Sequence, residues 1–211
     1  MGKKKKIILI SIISVIIVLI IIGIVAVVSG NNKKENTSKV MKLYNTLKEK
    51  DEYGFLMKSN EDNEIYYAKK DGKAYIRTNY EGNIIENIIK EGNTYLLQKD
   101  EKCYYTYRNN EINLNKIEIN LKELDGVENT KGKEKIDGQN YEYEEYKKVI
   151  PLTMLDTIDN FEDYSMRFYF KGQDLKYIKT FKDDKKELLK IEISNNVDSK
   201  LFEIPSNFEE K

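Results

Sequence analysis

Apolar and polar positions follow three different rules along this chain. From Ile7 to Val28 there is no alternation: 22 consecutive positions carry no charge, and Ser11, Ser14 and Gly23 are the least apolar in the centre. At the α-helical rise this run spans about 33 Å, against a bilayer hydrocarbon core of about 30 Å. It predicts a transmembrane helix. Further on, Val40, Leu43, Tyr44 and Leu47 fall at i, i+3, i+4 and i+7, the spacing of an amphipathic helix. Thr37 or Ser38 is placed to cap its start, and Lys48-Glu49-Lys50-Asp51-Glu52 ends it in solvent. A helix with one apolar face needs a partner surface.

The third rule is the period of two. Tyr53–Lys58, Glu64–Lys70, Lys73–Tyr80, Ile84–Lys90, Thr94–Lys99 and Lys102–Arg108 read as short strands. They are separated by Asp71-Gly72, Glu81-Gly82-Asn83 and Glu91-Gly92-Asn93, turn signals about ten residues apart that indicate an antiparallel meander. Within Lys73–Tyr80 the set Ala74, Ile76, Thr78, Tyr80 is expected to face a core or cavity, and Lys73, Tyr75, Arg77, Asn79 to face water. Glu128–Ile136 and Asn140–Val149 flank Asp137-Gly138 as a further hairpin. Tyr164–Phe170, Leu175–Phe181 and Leu188–Ser194 resume the meander. Met166, Phe168 and Phe170 share one face there, as do Leu189, Ile191 and Ile193. Between these blocks, Ile112–Leu124 mixes both periods and reads as strand or strand plus turn, and Leu152–Phe161 reads as a short helix behind Pro151. No breaker-rich linker divides this part. The class is α+β, mainly β.

Charge then orients the chain. Lys3–Lys6 lie directly before the apolar run, and positive flanks favour the cytoplasmic side. The expected organisation is a cytoplasmic tail at 1–6, a single membrane span at 7–28, a linker at 29–37 and one extracytoplasmic domain at 38–211. Lys33 and Lys34 on the far flank weigh the other way. A cleaved signal peptide is the rival reading, but its apolar core is usually about 7–15 residues. After residue 30 there remain 32 basic and 36 acidic residues, a net of −4. Nucleic acid, which needs concentrated positive charge, is not an expected partner.

Absences exclude several chemistries. The chain has no His, which removes Ser-His-Asp and Cys-His catalysis and His-containing zinc sites. Cys103 is the sole cysteine, so no intramolecular disulfide or CxxC pair exists, and in its strand it reads as a packed thiol. Glu142 and Glu144 share one strand face opposite Tyr141 and Tyr143, the pattern of a solvated outer face rather than of paired catalytic acids. Asp183-Asp184 reads as a turn. No catalytic, cofactor or metal site is expected. Sixteen tyrosines, most of them in strands, admit two readings: a surface gripping a lipid, glycan or protein, or ordinary β-propensity with cross-strand pairing.

Taken together, the helix, the meander and three segments resemble a known family. The segments are Gly138-Gln139-Asn140-Tyr141-Glu142-Tyr143, Phe170-Lys171-Gly172-Gln173-Asp174-Leu175-Lys176-Tyr177-Ile178 and the closing Leu201-Phe202-Glu203-Ile204-Pro205-Ser206-Asn207-Phe208. Over residues 38–208 the chain resembles the LolA/LolB lipoprotein-carrier superfamily, with the LppX/LprG-type lipoproteins and RseB-like sensor domains. The resemblance implies a half-open β-barrel: a curved antiparallel sheet with one or two helices packed in its hollow, which in the family holds acyl chains or another apolar ligand. Phe202 and Ile204 are expected to point together into the core, with Pro205 ending a strand. No functional residue carries over. Shuttling members are soluble or lipid-anchored, whereas a fixed protein anchor suits a local receptor, sensor or assembly factor.

The expected function is therefore non-enzymatic binding of a lipid, acyl chain or lipidated protein at the membrane surface of a bacterial cell envelope. The alternative is a protein-interaction or signal-sensing module without lipid cargo, with an envelope protein as partner. Tyr67, Ile76, Ile85, Leu96, Tyr105, Phe168 and Tyr177 are the residues expected to form an apolar ligand wall. The competing reading of the same set is core packing against the helix at 38–50.

Overall fold

The computed structural model describes residues 38–59, 63–108, 124–147, 164–182 and 185–211. The expected membrane span, the linker, the strand or turn before Leu124, the helix after Pro151 and the turn at Asp183-Asp184 lie outside these residues. Among the described residues no helix is long and apolar enough to cross a membrane.

Helix α1 (Lys39–Lys48) leads into β1 (Glu52–Lys58), β2 (Glu64–Lys70), β3 (Lys73–Tyr80), β4 (Asn83–Lys90), β5 (Asn93–Gln98) and β6 (Cys103–Arg108). Then follow β7 (Asn129–Ile136), β8 (Gln139–Lys147), β9 (Tyr164–Lys171), β10 (Asp174–Lys182) and β11 (Lys185–Ser194). A 3-10 turn (Ser199–Phe202) and β12 (Glu209–Glu210) close the chain. Asp71-Gly72, Glu81-Gly82, Glu91-Gly92 and Asp137-Gly138 each place two successive residues at positive φ, 49° and 71° in the first case. That is the two-residue turn whose twist matches the strands it joins.

Among the described residues the twelve strands form one curved, open sheet in the order β12-β6-β5-β4-β3-β2-β1-β11-β10-β9-β8-β7. β1 is the joint. It pairs with β2 on one side and with β11 on the other, so two meanders share one sheet. β7, at one edge, carries Lys131, Lys133 and Lys135, charges that discourage edge-to-edge association.

The helix buries Val40, Met41 and Leu47 against Phe55, Phe168, Ile178 and Ile191. The opposite face is covered too. After β11 the chain folds back, and Val197, Leu201, Phe202, Ile204 and Phe208 pack over Ala68, Tyr75, Ile88 and Leu97. This overturns the solvent-facing assignment of Tyr75, which is 4% exposed, whereas Tyr80 on the expected core face is 61% exposed at a hairpin end. It also corrects the reading of the closing segment. Phe202 and Ile204 do share a cluster, but on the face away from the helix, and Phe202 ends a 3-10 turn, so Pro205 terminates no strand.

The largest correction concerns Glu144. Its neighbour Glu142 is exposed as expected, but Glu144 is 2% exposed and faces the helix. Its carboxylate accepts from Lys39 N at 2.9 Å, Val40 N at 3.1 Å and Ser38 Oγ at 2.9 Å. Ser38 in turn accepts from Met41 N at 3.1 Å and shares a 2.7 Å hydrogen bond with the Tyr146 hydroxyl. The first N–H groups of a helix have no intrahelical partner and carry its positive dipole end. Here the first turn contains no acidic residue, and the sheet supplies the missing carboxylate. Burial raises the Tyr146 pKa, so its hydroxyl stays protonated.

Removing Glu144 strips charge-assisted hydrogen bonds from buried donors. Glu144→Ala is expected to lower unfolding free energy by about 3 kcal/mol. Glu142→Ala, which breaks only exposed pairs with Lys39 at 2.6 Å and Lys133 at 4.0 Å, is expected to leave stability nearly unchanged. Urea unfolding followed by tyrosine fluorescence checks both.

Candidate functional site

Because strand pairing is in register, one row of side chains crosses the first meander on the helix-covered face. Phe55 pairs with Tyr67, Tyr67 with Ile76, Ile76 with Asn87, Asn87 with Leu96 and Leu96 with Tyr105. Four of the expected wall residues thus stand in a single line. Ile85 lies on the same face, two positions before Asn87, and Phe168 extends the face into the second meander through its pairing with Ile178. Tyr67, Ile76, Leu96 and Phe168 are buried, while Ile85 and Tyr105 are half-buried.

The remaining residue of the set, Tyr177, stands on the opposite face. It pairs with Tyr169, whereas Phe168 and Ile178 point to the helix side, and it packs with Tyr141 at 5.3 Å between ring centroids. An irregularity between Leu175 and Tyr177 changes the register there. Counting alternate residues from a distant strand does not anticipate such a slip.

The row has one member that pattern reading passed over. Asn87 sits in the run Ile84-Ile85-Glu86-Asn87-Ile88-Ile89, is 2% exposed, and lies on the apolar side. The available signal was compositional: asparagine is depleted in strands and out of place among isoleucines.

A second feature lies beside the start of α1, a groove of about 410 Å³ lined by Lys39, Lys42, Lys131, Lys133, Glu142 and Phe170 among others. Lys39 reaches Glu142 at 2.6 Å and the Gly172 carbonyl at 2.8 Å, and Lys131 lies 3.6 Å from Glu144. Its ammonium groups are thus partly neutralised from within.

On the face away from the helix, Glu134 gathers a polar network. It accepts from Arg167 at 2.8 Å, Tyr169 at 2.6 Å and Lys179 at 2.8 Å. Arg167 also binds Glu145 and stacks between the rings of Tyr143 and Phe181, 4.7 and 4.9 Å from their centroids. Tyr143 in turn covers Gly132, where an added Cβ would lie 2.5 Å from the ring. This is a staple across four strands, with no free acid or base for catalysis. Cys103 is fully buried, and burial raises its thiol pKa, which keeps it unreactive. Among the described residues no cluster of acidic or cysteine side chains is arranged to hold a metal ion.

No protein-family model and no curated protein sequence matches this chain. Solved structures do resemble it in overall course. An uncharacterised conserved protein from Thermus thermophilus aligns at 8% identity and TM-score 0.47, covering 82% of this chain and 96% of that one. LprF from Mycobacterium bovis aligns at 12% identity and TM-score 0.46, covering 80% and 95%. The lipoprotein LppX from Mycobacterium tuberculosis aligns at 13% identity and TM-score 0.49, covering 76% and 95%.

The Glu134 network has a pH signature. Burial pushes the Glu134 carboxyl up, but the hydrogen bonds from Lys179, Tyr169 and Arg167 outweigh it and hold the pKa at about 2, below the ordinary 4.5. A depressed acid contributes stability that is full above its unfolded pKa and is lost as the pH falls toward its folded pKa. Glu134→Gln is therefore expected to cost about 1–2 kcal/mol at pH 7, allowing for solvent screening, and to flatten the acid loss of stability between pH 4.5 and 2. Urea midpoints measured across that window test it.

Proposed function

We propose that this chain is a membrane-anchored, extracytoplasmic binding domain that holds an acyl chain or lipidated molecule on the helix-covered face of its sheet, without catalysis. The observation that carries the reading is the in-register row from Phe55 to Tyr105. The side chains of α1 pack against residues of β1–β4 and β8–β11, while the row runs on through Leu96 to half-buried Tyr105. Burying an alkyl chain along such a row stabilises the complex by about 0.8 kcal/mol per CH₂. Ser38 stands ten residues beyond the expected span, which an extended chain crosses in at most about 36 Å. The wall then works close to one bilayer, receiving or sensing cargo there.

A second reading, a module that docks an envelope protein, is favoured by Tyr80 and Ile84. These side chains are 61% and 51% exposed at the two ends of one hairpin turn.

The chain contains no tryptophan, so one can be introduced as a sole reporter. In the full chain held in nanodiscs, Tyr105→Trp is expected to be quenched saturably by doxyl-labelled stearic acid. Tyr104→Trp, whose side chain faces the other way and packs with Tyr95, is expected to be quenched at least threefold less. Equal quenching at both sites, or none at position 105, overturns the binding reading and leaves protein docking.

A further inference from the structure

Asn87 is the one polar side chain in the middle of the row. It is 2% exposed, and neither its Oδ1 nor its Nδ2 has a hydrogen-bond partner. Ile76 and Leu96 stand directly across from it on the adjacent strands, and Ile85 and Ile89 flank it on its own strand face. An amide buried without partners is costly, and native proteins retain few such groups. Packing does not account for it, because leucine has the same number and branching of side-chain heavy atoms and no polar atoms to satisfy. Turn formation does not account for it either, since Asn87 lies inside a strand that is paired on both sides. What the site lacks is one donor and one acceptor, side by side, in an apolar surround.

We propose that Asn87 is the polar anchor of the binding face, and that the ligand's acyl chain ends in a group presenting a carbonyl beside a donor: a protonated carboxyl or a carboxamide. The ligand carbonyl accepts from Nδ2, and its O–H or N–H donates to Oδ1. The flanking alkyl chain lies along Ile76, Leu96 and Ile85. A simple hydrocarbon satisfies neither atom, and a carboxylate lacks the donor and keeps its charge in an apolar place. The anchor selects the acyl head, while the wall supplies the bulk of the affinity. This inference rests on the binding reading above and adds the chemistry of the ligand to it.

The test uses the full chain with the Tyr105→Trp reporter in nanodiscs, with and without Asn87→Leu. Stearamide, stearic acid and octadecane compete against doxyl-stearic acid. With Asn87 present, stearamide and stearic acid are expected to bind about tenfold more tightly than octadecane. Asn87→Leu is expected to remove that preference and leave octadecane unchanged or tighter. It should also raise the melting temperature of the ligand-free chain, because the orphaned amide is gone. Stearic acid binding should weaken as the pH rises, while stearamide binding stays flat, which separates the two sources of the head group. Asn87→Thr keeps a donor and an acceptor and should retain part of the preference. If Asn87→Leu binds stearamide and stearic acid as tightly as its parent, the anchor is wrong and the binding face stands. If no acyl probe reaches the reporter in either chain, both fail together.

Discussion

One carboxylate, Glu144, decides how the helix and the sheet meet. It lies 105 residues after Lys39, yet it receives the N–H groups of Lys39 and Val40 and the hydroxyl of Ser38. A helix of ten residues is too short to be stable alone and depends on its partner surface. Apolar contact supplies most of that stability but no direction, since the face around Val40, Met41 and Leu47 would slide with small loss. Hydrogen bonds to the first turn do supply direction. They hold the start of the helix over β8 and let its apolar side run across to β1 and β11.

The two meanders solve the problem of a two-faced sheet differently. Strands β2 to β4 join the helix cluster on one side, and β2 to β6 carry the returning segment from Val197 to Phe208 on the other. Strands β7 to β10 leave their second face to tyrosines and to the Glu134–Arg167–Glu145 network. A polar network here keeps the face soluble while tying the strands together. An apolar face would need a cover, and the chain's closing segment is already committed to the other half. Val197 N is held by Glu52 Oε1 at 2.7 Å, and that carboxyl also pairs with Lys70, which fixes where the returning segment departs.

How much of this was legible follows from what each signal measures. The helix and nearly every described strand could be read within one or two residues, because Gly-containing turns with two positive φ angles are a local requirement. Faces were legible where wholly apolar residues alternate, as at Met166, Phe168 and Phe170. They were not legible where tyrosine and glutamate carry the pattern. Tyrosine has an apolar body and a polar tip, so Tyr75 and Tyr177 give no sign of which side will be covered. Glu144 reads as a surface residue by every local measure. Its burial is compensated by a helix terminus 105 residues away, and no window along the chain contains both. A common face was legible for six of the seven expected wall residues, because register carries the parity of Tyr67 from strand to strand. It failed at Tyr177, beyond a break in register.

A binding face would tolerate Asn87 for the sake of selectivity. Filling the row with leucine or isoleucine throughout would give a more stable sheet, but it would accept any alkyl surface, bilayer lipid included. A domain tethered beside a membrane meets hydrocarbon at very high local concentration, so affinity for alkyl chains alone cannot select a cargo. Selectivity then has to come from a group that ordinary hydrocarbon leaves unsatisfied. A buried amide does this, at a cost to the empty state, because a mismatched ligand leaves both of its polar atoms without partners. On this proposal the stability given up in the empty sheet would return as discrimination when the matching head group arrives.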